Sequence, residues 1–161
     1  MMRRFRLLGI LVLLVPLAAW SAEPSPVGFW LVQDGGAVVR LQEFGGVLNG
    51  RTVWMKESSY PSDDPEGRAG KPLLDDFNPN PALREHKRLG LQILSGFVPG
   101  DTPGVYSGGQ VYNPRDGKTY SGTITLAGKD RLELRGYVVI SLLGKTQTWT
   151  RVDPAKYGLK P

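Results

Sequence analysis

The feature that most constrains the fold is a two-residue alternation running from residue 118 to residue 138, broken once by a turn. Tyr120, Gly122, Ile124 and Leu126 alternate with Thr119, Ser121, Thr123 and Thr125, so an extended chain carries one mostly apolar face and one hydroxylated face. Ala127-Gly128-Lys129-Asp130 supplies turn chemistry, and Leu132, Leu134, Gly136 and Val138 then alternate with Glu133, Arg135 and Tyr137. A helix cannot use this pattern, because its one-face neighbours recur every three or four residues. The two runs read as an antiparallel hairpin. Asn113-Pro114-Arg115-Asp116-Gly117 is a second turn, which joins residues 105–112 to the front of that hairpin.

Further β-rich runs cover residues 29–33, 37–44 and 47–56, divided by Asp34-Gly35-Gly36 and Gly45-Gly46. Residues 91–98 make another, and residues 145–152 a threonine-rich last strand, with residues 140–144 before it as a short bridge or strand continuation. The total is eight strands in an all-β chain. Short antiparallel strands joined by tight turns make a sandwich or a closed up-and-down barrel, and eight strands close a barrel around side chains or one small ligand. The expectation is the barrel, with Gly50, Gly108, Gly109, Gly122 and Gly136 at bends or bulges.

Residues 57–88 break the pattern, since Pro61, Pro65, Pro72, Pro79 and Pro81 exclude a continuous strand. A long Pro-rich loop is expected over 57–80, serving as a functional flap or as a mobile excursion. A short helix is expected over 81–89, with Asn80 as N-cap, Pro81 at the first helical position and Gly90 as the stop. His86, Lys87 and Arg88 would then complement the helix dipole in its last turn.

Residues 1–21 have the form of a cleaved signal peptide: Arg3, Arg4 and Arg6, an apolar run over 7–19, then small residues at Ala19 and Ser21. That run is shorter than the roughly 20 residues a membrane-spanning helix needs. Residues 22–161 are expected to form one exported domain, periplasmic or secreted, with no membrane span after cleavage. The 161-residue chain has no cysteine, which excludes disulfides, thiolate chemistry and a cysteine-linked lipid anchor. Removing the three leader arginines from 20 Lys+Arg leaves 17 against 15 Asp+Glu. That near-neutral balance argues against a nucleic-acid partner.

Gly28-x-Trp30 opens the first strand and Arg151 closes the last. In a closed barrel these strands are neighbours, so the guanidinium can cover the indole and seal one end. The pairing resembles the lipocalin and wider calycin pattern. More of the chain carries a nearer likeness: Asp75-Asp76-Phe77-Asn78-Pro79-Asn80-Pro81-Ala82-Leu83-Arg84, Leu89-Gly90-Leu91-Gln92-Ile93-Leu94, Tyr112-Asn113-Pro114, Asp116-Gly117-Lys118-Thr119-Tyr120, Leu134-Arg135-Gly136-Tyr137 and the closing Gly144 to Arg151 block. Together these resemble the exported bacterial family known as domain of unknown function 2147. The resemblance implies an eight-stranded antiparallel lipocalin-like (calycin) barrel and an exported protein.

The site residues follow from alternation. Tyr120, Ile124, Leu126, Leu132, Leu134 and Trp149 are expected to line an apolar cavity if the barrel is hollow; Gly28, Trp30 and Arg151 are assigned to closure. Asp75, Asp76, Asn78 and Arg84 form the loop and helix motif. Asp76-x-Asn78-x-Asn80 matches the start of an EF-hand loop, but Pro81 and Lys87 stand where glycine and glutamate are required. Turn building and helix capping explain these residues better, so neither metal nor cofactor is expected. The leading function is capture of a small apolar or amphipathic ligand without chemistry, by a monomer or weak homodimer. Two other classes stay open: an envelope interaction module with a filled core, and a hydrolase using Asp75 or Asp76.

Overall fold

Each alternating run becomes a strand that pairs with the next, through short turns in most cases and across the Pro-rich segment in one. The computed structural model describes residues 25–137 and 144–161. Its strands are β1 (Gly28–Leu31), β2 (Ala37–Phe44), β3 (Val47–Met55), β4 (Gln92–Pro99), β5 (Val105–Asn113), β6 (Lys118–Leu126), β7 (Arg131–Tyr137) and β8 (Lys145–Arg151). All neighbours are antiparallel, and β1 also pairs with β8, so the sheet closes into a barrel in chain order. Closure joins the first and last strands at Trp30–Arg151 and Leu31–Thr150, as a barrel does to remove sheet edges. The expected strand continuation at 138 and the bridge at 140–143 lie outside the described residues.

Because the strands run up and down, the turns sort to two ends. One end carries the β2–β3, β4–β5 and β6–β7 turns, and it is solid. Trp30, Leu41, Leu48, Leu94, Phe97, Ile124, Leu132 and Trp149 meet there, none more than 2% exposed. Register explains how they fit: Gly109 stands opposite Gly122 on β5 and β6, and a Cβ on either would overlap the Phe97 ring. Two missing side chains therefore make room for one aromatic ring across the barrel.

The strand pair that seals the cylinder brings Trp30 opposite Arg151. The Arg151 guanidinium lies 4.2 Å from the Trp30 ring centroid and donates to the carbonyl oxygens of Val27 (2.8 Å), Lys129 (2.6 Å) and Ser25. Trp30 Nε1 donates to the Pro26 carbonyl at 2.8 Å. Gly28 fits beneath, with φ 137°; a Cβ there would lie 2.5 Å from Arg151 Nη1. Burial holds Arg151 below the usual arginine range, against the pull of Asp130. Outside the barrel, the C-terminal 3-10 turn Pro154–Tyr157 sets Tyr157 against Trp54 in an edge contact, ring centroids 4.9 Å apart.

Between β3 and β4 the Pro-rich segment is a small folded unit. Bridges pair Ser59 with Pro72 and Leu74 with Lys87. Its polar centre is Arg68, which lies 3.8 Å over the Tyr60 ring and donates to Tyr60 Oη and Asp76 Oδ1, both at 3.0 Å, and to Asp64. The helix expected over 81–89 is only a 3-10 turn, Pro81–Leu83. The Asn80 side chain does cap it, accepting from Ala82 N at 3.1 Å. The chain then leaves helical geometry because its backbone is used elsewhere: His86 O accepts from Asp75 N, and Arg88 N donates to Leu73 O. Helices of fewer than about 12 residues are marginal unless packing supports them, and Leu83 and Leu89 remain exposed. His86, Lys87 and Arg88 consequently serve a two-strand contact rather than a helix dipole.

Candidate functional site

The other end of the barrel carries the β1–β2, β3–β4, β5–β6 and β7–β8 connections, and here the interior is hollow. A cavity of about 490 Å³ opens between them. Its floor and inner wall are Thr52, Ile93, Val111, Leu134 and Trp149; Val32, Ala37, Met55, Tyr112 and Tyr120 stand above, and the rim includes Asp34, Arg88, Arg115, Asp116, Lys145 and Gln147. Apolar depth under a polar edge is the usual make-up of a small-molecule site, and the volume falls within the roughly 300–1,000 Å³ of such sites.

The polar groups of the wall are held in place. Trp149 Nε1 donates to Gln147 Oε1 at 3.1 Å, one alternation step nearer the mouth. Tyr120 donates to Asp116 Oδ2 at 2.9 Å, and this bond, with burial, raises the tyrosine above its ordinary range. Burial pushes Asp116 up, but donors from Lys118 N, Tyr120 and Asn113 outweigh it and leave the carboxyl low. Arg115 reaches Asp34 Oδ2 at 3.4 Å, joining turns on opposite sides of an eight-strand ring. Both partners are exposed, so the pair adds about 1 kcal/mol or less.

Tyr112 ties the wall to the Pro-rich unit. Its hydroxyl donates to Asp75 Oδ1 at 2.7 Å, and Asn78 Nδ2 donates to Asp75 Oδ2, also at 2.7 Å. Asp75 is wholly buried. Burial and this carboxylate together push the Tyr112 hydroxyl up to about 12. Beside it, the Phe77 carbonyl sits where a Cβ on Gly117 would project, and Gly117 has φ 68°, so the Pro-rich unit rests directly on the β5–β6 turn. The Asp75 to Arg84 and Asn113 to Lys118 blocks are thus one structural joint.

Of the residues expected from alternation, Tyr120, Leu134 and Trp149 stand in the cavity wall, whereas Ile124, Leu126 and Leu132 belong to the packed half near the β6–β7 turn. Asp75 and Asp76 do not line the cavity. Asp75 spends its oxygens on Tyr112 and Asn78, and Asp76 spends its own on Tyr60 (2.7 Å) and Arg68. The remaining oxygens of the EF-hand-like run are also committed: Asn78 Oδ1 accepts from Asn80 N, and the Asn78 carbonyl accepts from Arg84 Nε. Among the described residues no group of three or more His, Asp or Glu side chains gathers as a metal set.

Val32, Ala37, Thr52, Met55, Ile93 and Val111 line the cavity without having been singled out from the sequence as lining residues. Alternation assigns a side chain to inside or outside, not to the filled or hollow half. The missing signal was strand direction, because residues flanking the odd-to-even connections share the open end.

A family model described as "Uncharacterized protein conserved in bacteria (DUF2147)" matches residues 28–151. The chain belongs to this family. A solved structure from the human pathogen Helicobacter pylori, described as a protein belonging to the lipocalin family, is similar over 86% of this chain and 92% of its own, with 25% identity and a TM-score of 0.69. The family member described here therefore has a lipocalin-like fold. A comparison with curated proteins finds no match.

Proposed function

We propose that this protein is exported and captures a small apolar or amphipathic molecule in the open half of its barrel, without converting it. The observation that carries the reading is the division of one interior into two halves. Large side chains fill the end sealed by Trp30 and Arg151, while about 490 Å³ beneath the opposite loops is bounded by Ile93, Val111, Leu134 and Trp149. An apolar group placed there gains about 25 cal/mol for each Å² removed from water, less the cost of immobilisation. Tyr120, held by Asp116, stands above that floor, and the charged rim suits a polar end facing solvent.

An interaction module with a filled core would need side chains throughout the interior, so the hollow half favours capture. The leader pattern supports export. The test is titration of the mature chain with an environment-sensitive amphipathic fluorophore. Saturable binding that Leu134→Trp weakens by narrowing the cavity, with thermal stability retained, is the expected result. Equal binding by that folded variant would remove the cavity from the account.

A further inference from the structure

A second site lies on the outer surface of the barrel, away from the cavity. The β2–β3 ladder sets Arg40 directly opposite Arg51 on the outward face. Like charges placed opposite one another destabilise a sheet. A groove of about 220 Å³ runs between the two arginines, lined by Arg40, Gln42, Phe44, Asn49, Arg51 and Gln92 with the Gly50 backbone. It contains no acidic side chain. Neither arginine forms an ion pair among the described residues.

Both guanidinium groups are nevertheless held in position, on opposite flanks of the groove: Arg40 on the β1 side and Arg51 on the β4 side. Arg40 lies 5.2 Å from the Phe29 ring centroid, and this aromatic contact uses no N–H donor. Arg51 gives one donor to the Gly90 carbonyl and one to Gln92 Oε1, each at 3.2 Å. Gln92 in turn donates to Asn49 Oδ1 at 3.4 Å, which also accepts from Gly96 N at 3.1 Å. Of the five N–H donors on each guanidinium, partners among the described residues take two on Arg51 and none on Arg40.

We propose that this groove binds a phosphoryl group, its charge shared between Arg40 and Arg51 with the Gln42 amide beside them. Planar guanidinium forks match phosphate oxygens in pairs, and two cations without a carboxylate suit a doubly charged oxyanion. Such an anion turns a repulsive cross-strand pair into a bridged one. A soluble phosphate or a lipid phosphate headgroup presents the same chemistry.

Two arms test the assignment. Inorganic phosphate is titrated into the full mature chain at constant ionic strength while backbone amide shifts are followed, with chloride as the comparison. Separately, the protein is sedimented with vesicles of phosphatidylcholine, with and without phosphatidic acid. Expected are saturable shifts confined to residues 40–51 and 92, with affinity falling about tenfold or more in Arg40→Gln and in Arg51→Gln. Both variants should fold, since each relieves a repulsion; circular dichroism and unchanged fluorophore binding in the cavity check this. Phosphatidic-acid-dependent sedimentation that the same variants abolish, without a response to free phosphate, also supports the proposal and assigns the group to a lipid. Absence of both responses, equal shifts with chloride, or unaltered binding by both folded variants overturns it.

Discussion

Tyr112→Phe removes one oxygen and almost no volume, so it isolates the bond between the barrel wall and the Pro-rich unit. The hydroxyl donates to Asp75 Oδ1 at 2.7 Å, and Asp75 has no solvent exposure with which to replace that donor. Hydrogen bonds to a charged group contribute about 1.5–3 kcal/mol, and leaving a buried acceptor unmet costs the same order. At roughly 4 °C for each kcal/mol in a domain of this size, the variant should melt about 6–12 °C lower. Hydrogen exchange should quicken first at Asp75, Asn78 and Gly117, where the two parts meet. Alkaline pH supplies a second reading. Tyr112 titrates near 12 in the folded chain against an ordinary value of 10.0. The unfolded chain therefore loses that proton first, and stability from this group is whole below pH 10 and disappears as pH rises towards 12. Tyr112→Phe should lose that part of the alkaline slope. A melting temperature within about 1 °C of the parent, with unchanged exchange at the joint, would refute the argument.

Arg151→Ala removes the guanidinium over Trp30 together with three bonds to backbone carbonyls; a loss of about 2–4 kcal/mol in urea unfolding is expected, concentrated at the sealed end. Asp64 is held below its ordinary 3.8 by bonds from Arg68. Its contribution is present above pH 3.8 and disappears as acid takes the carboxyl through its lower folded value. Exchange over residues 58–74 should therefore rise in acid before the strand amides open, and simultaneous opening would contradict this ordering.

How much of this was legible differs from one element to the next. Alternation at 118–126 and 131–137 described the β6–β7 hairpin because side-chain direction in a strand is fixed by the backbone alone. Gly28, Trp30 and Arg151 could be placed together because barrel closure makes the first and last strands neighbours. Of the helix expected over 81–89 only the start forms, as the capped turn Pro81–Leu83, since its start signals are local while its end is decided by pairing with residues 73–75. Asp75 looked like turn chemistry, yet it is the buried partner of Tyr112, 37 positions away. No local pattern encodes that distance. The cavity wall was half visible: Leu134 and Trp149 follow from periodicity, but the emptiness above them depends on where eight strands place their large residues.

The most direct measurement of the central claim is native mass spectrometry of residues 22–161, purified without denaturation from the cells that make them, before and after organic extraction. The account predicts one added small-molecule mass per chain that extraction removes, and a depleted share of it in Leu134→Trp, which narrows the cavity. A chain of bare mass before extraction, joined to a failure of every amphipathic fluorophore to saturate, would contradict it.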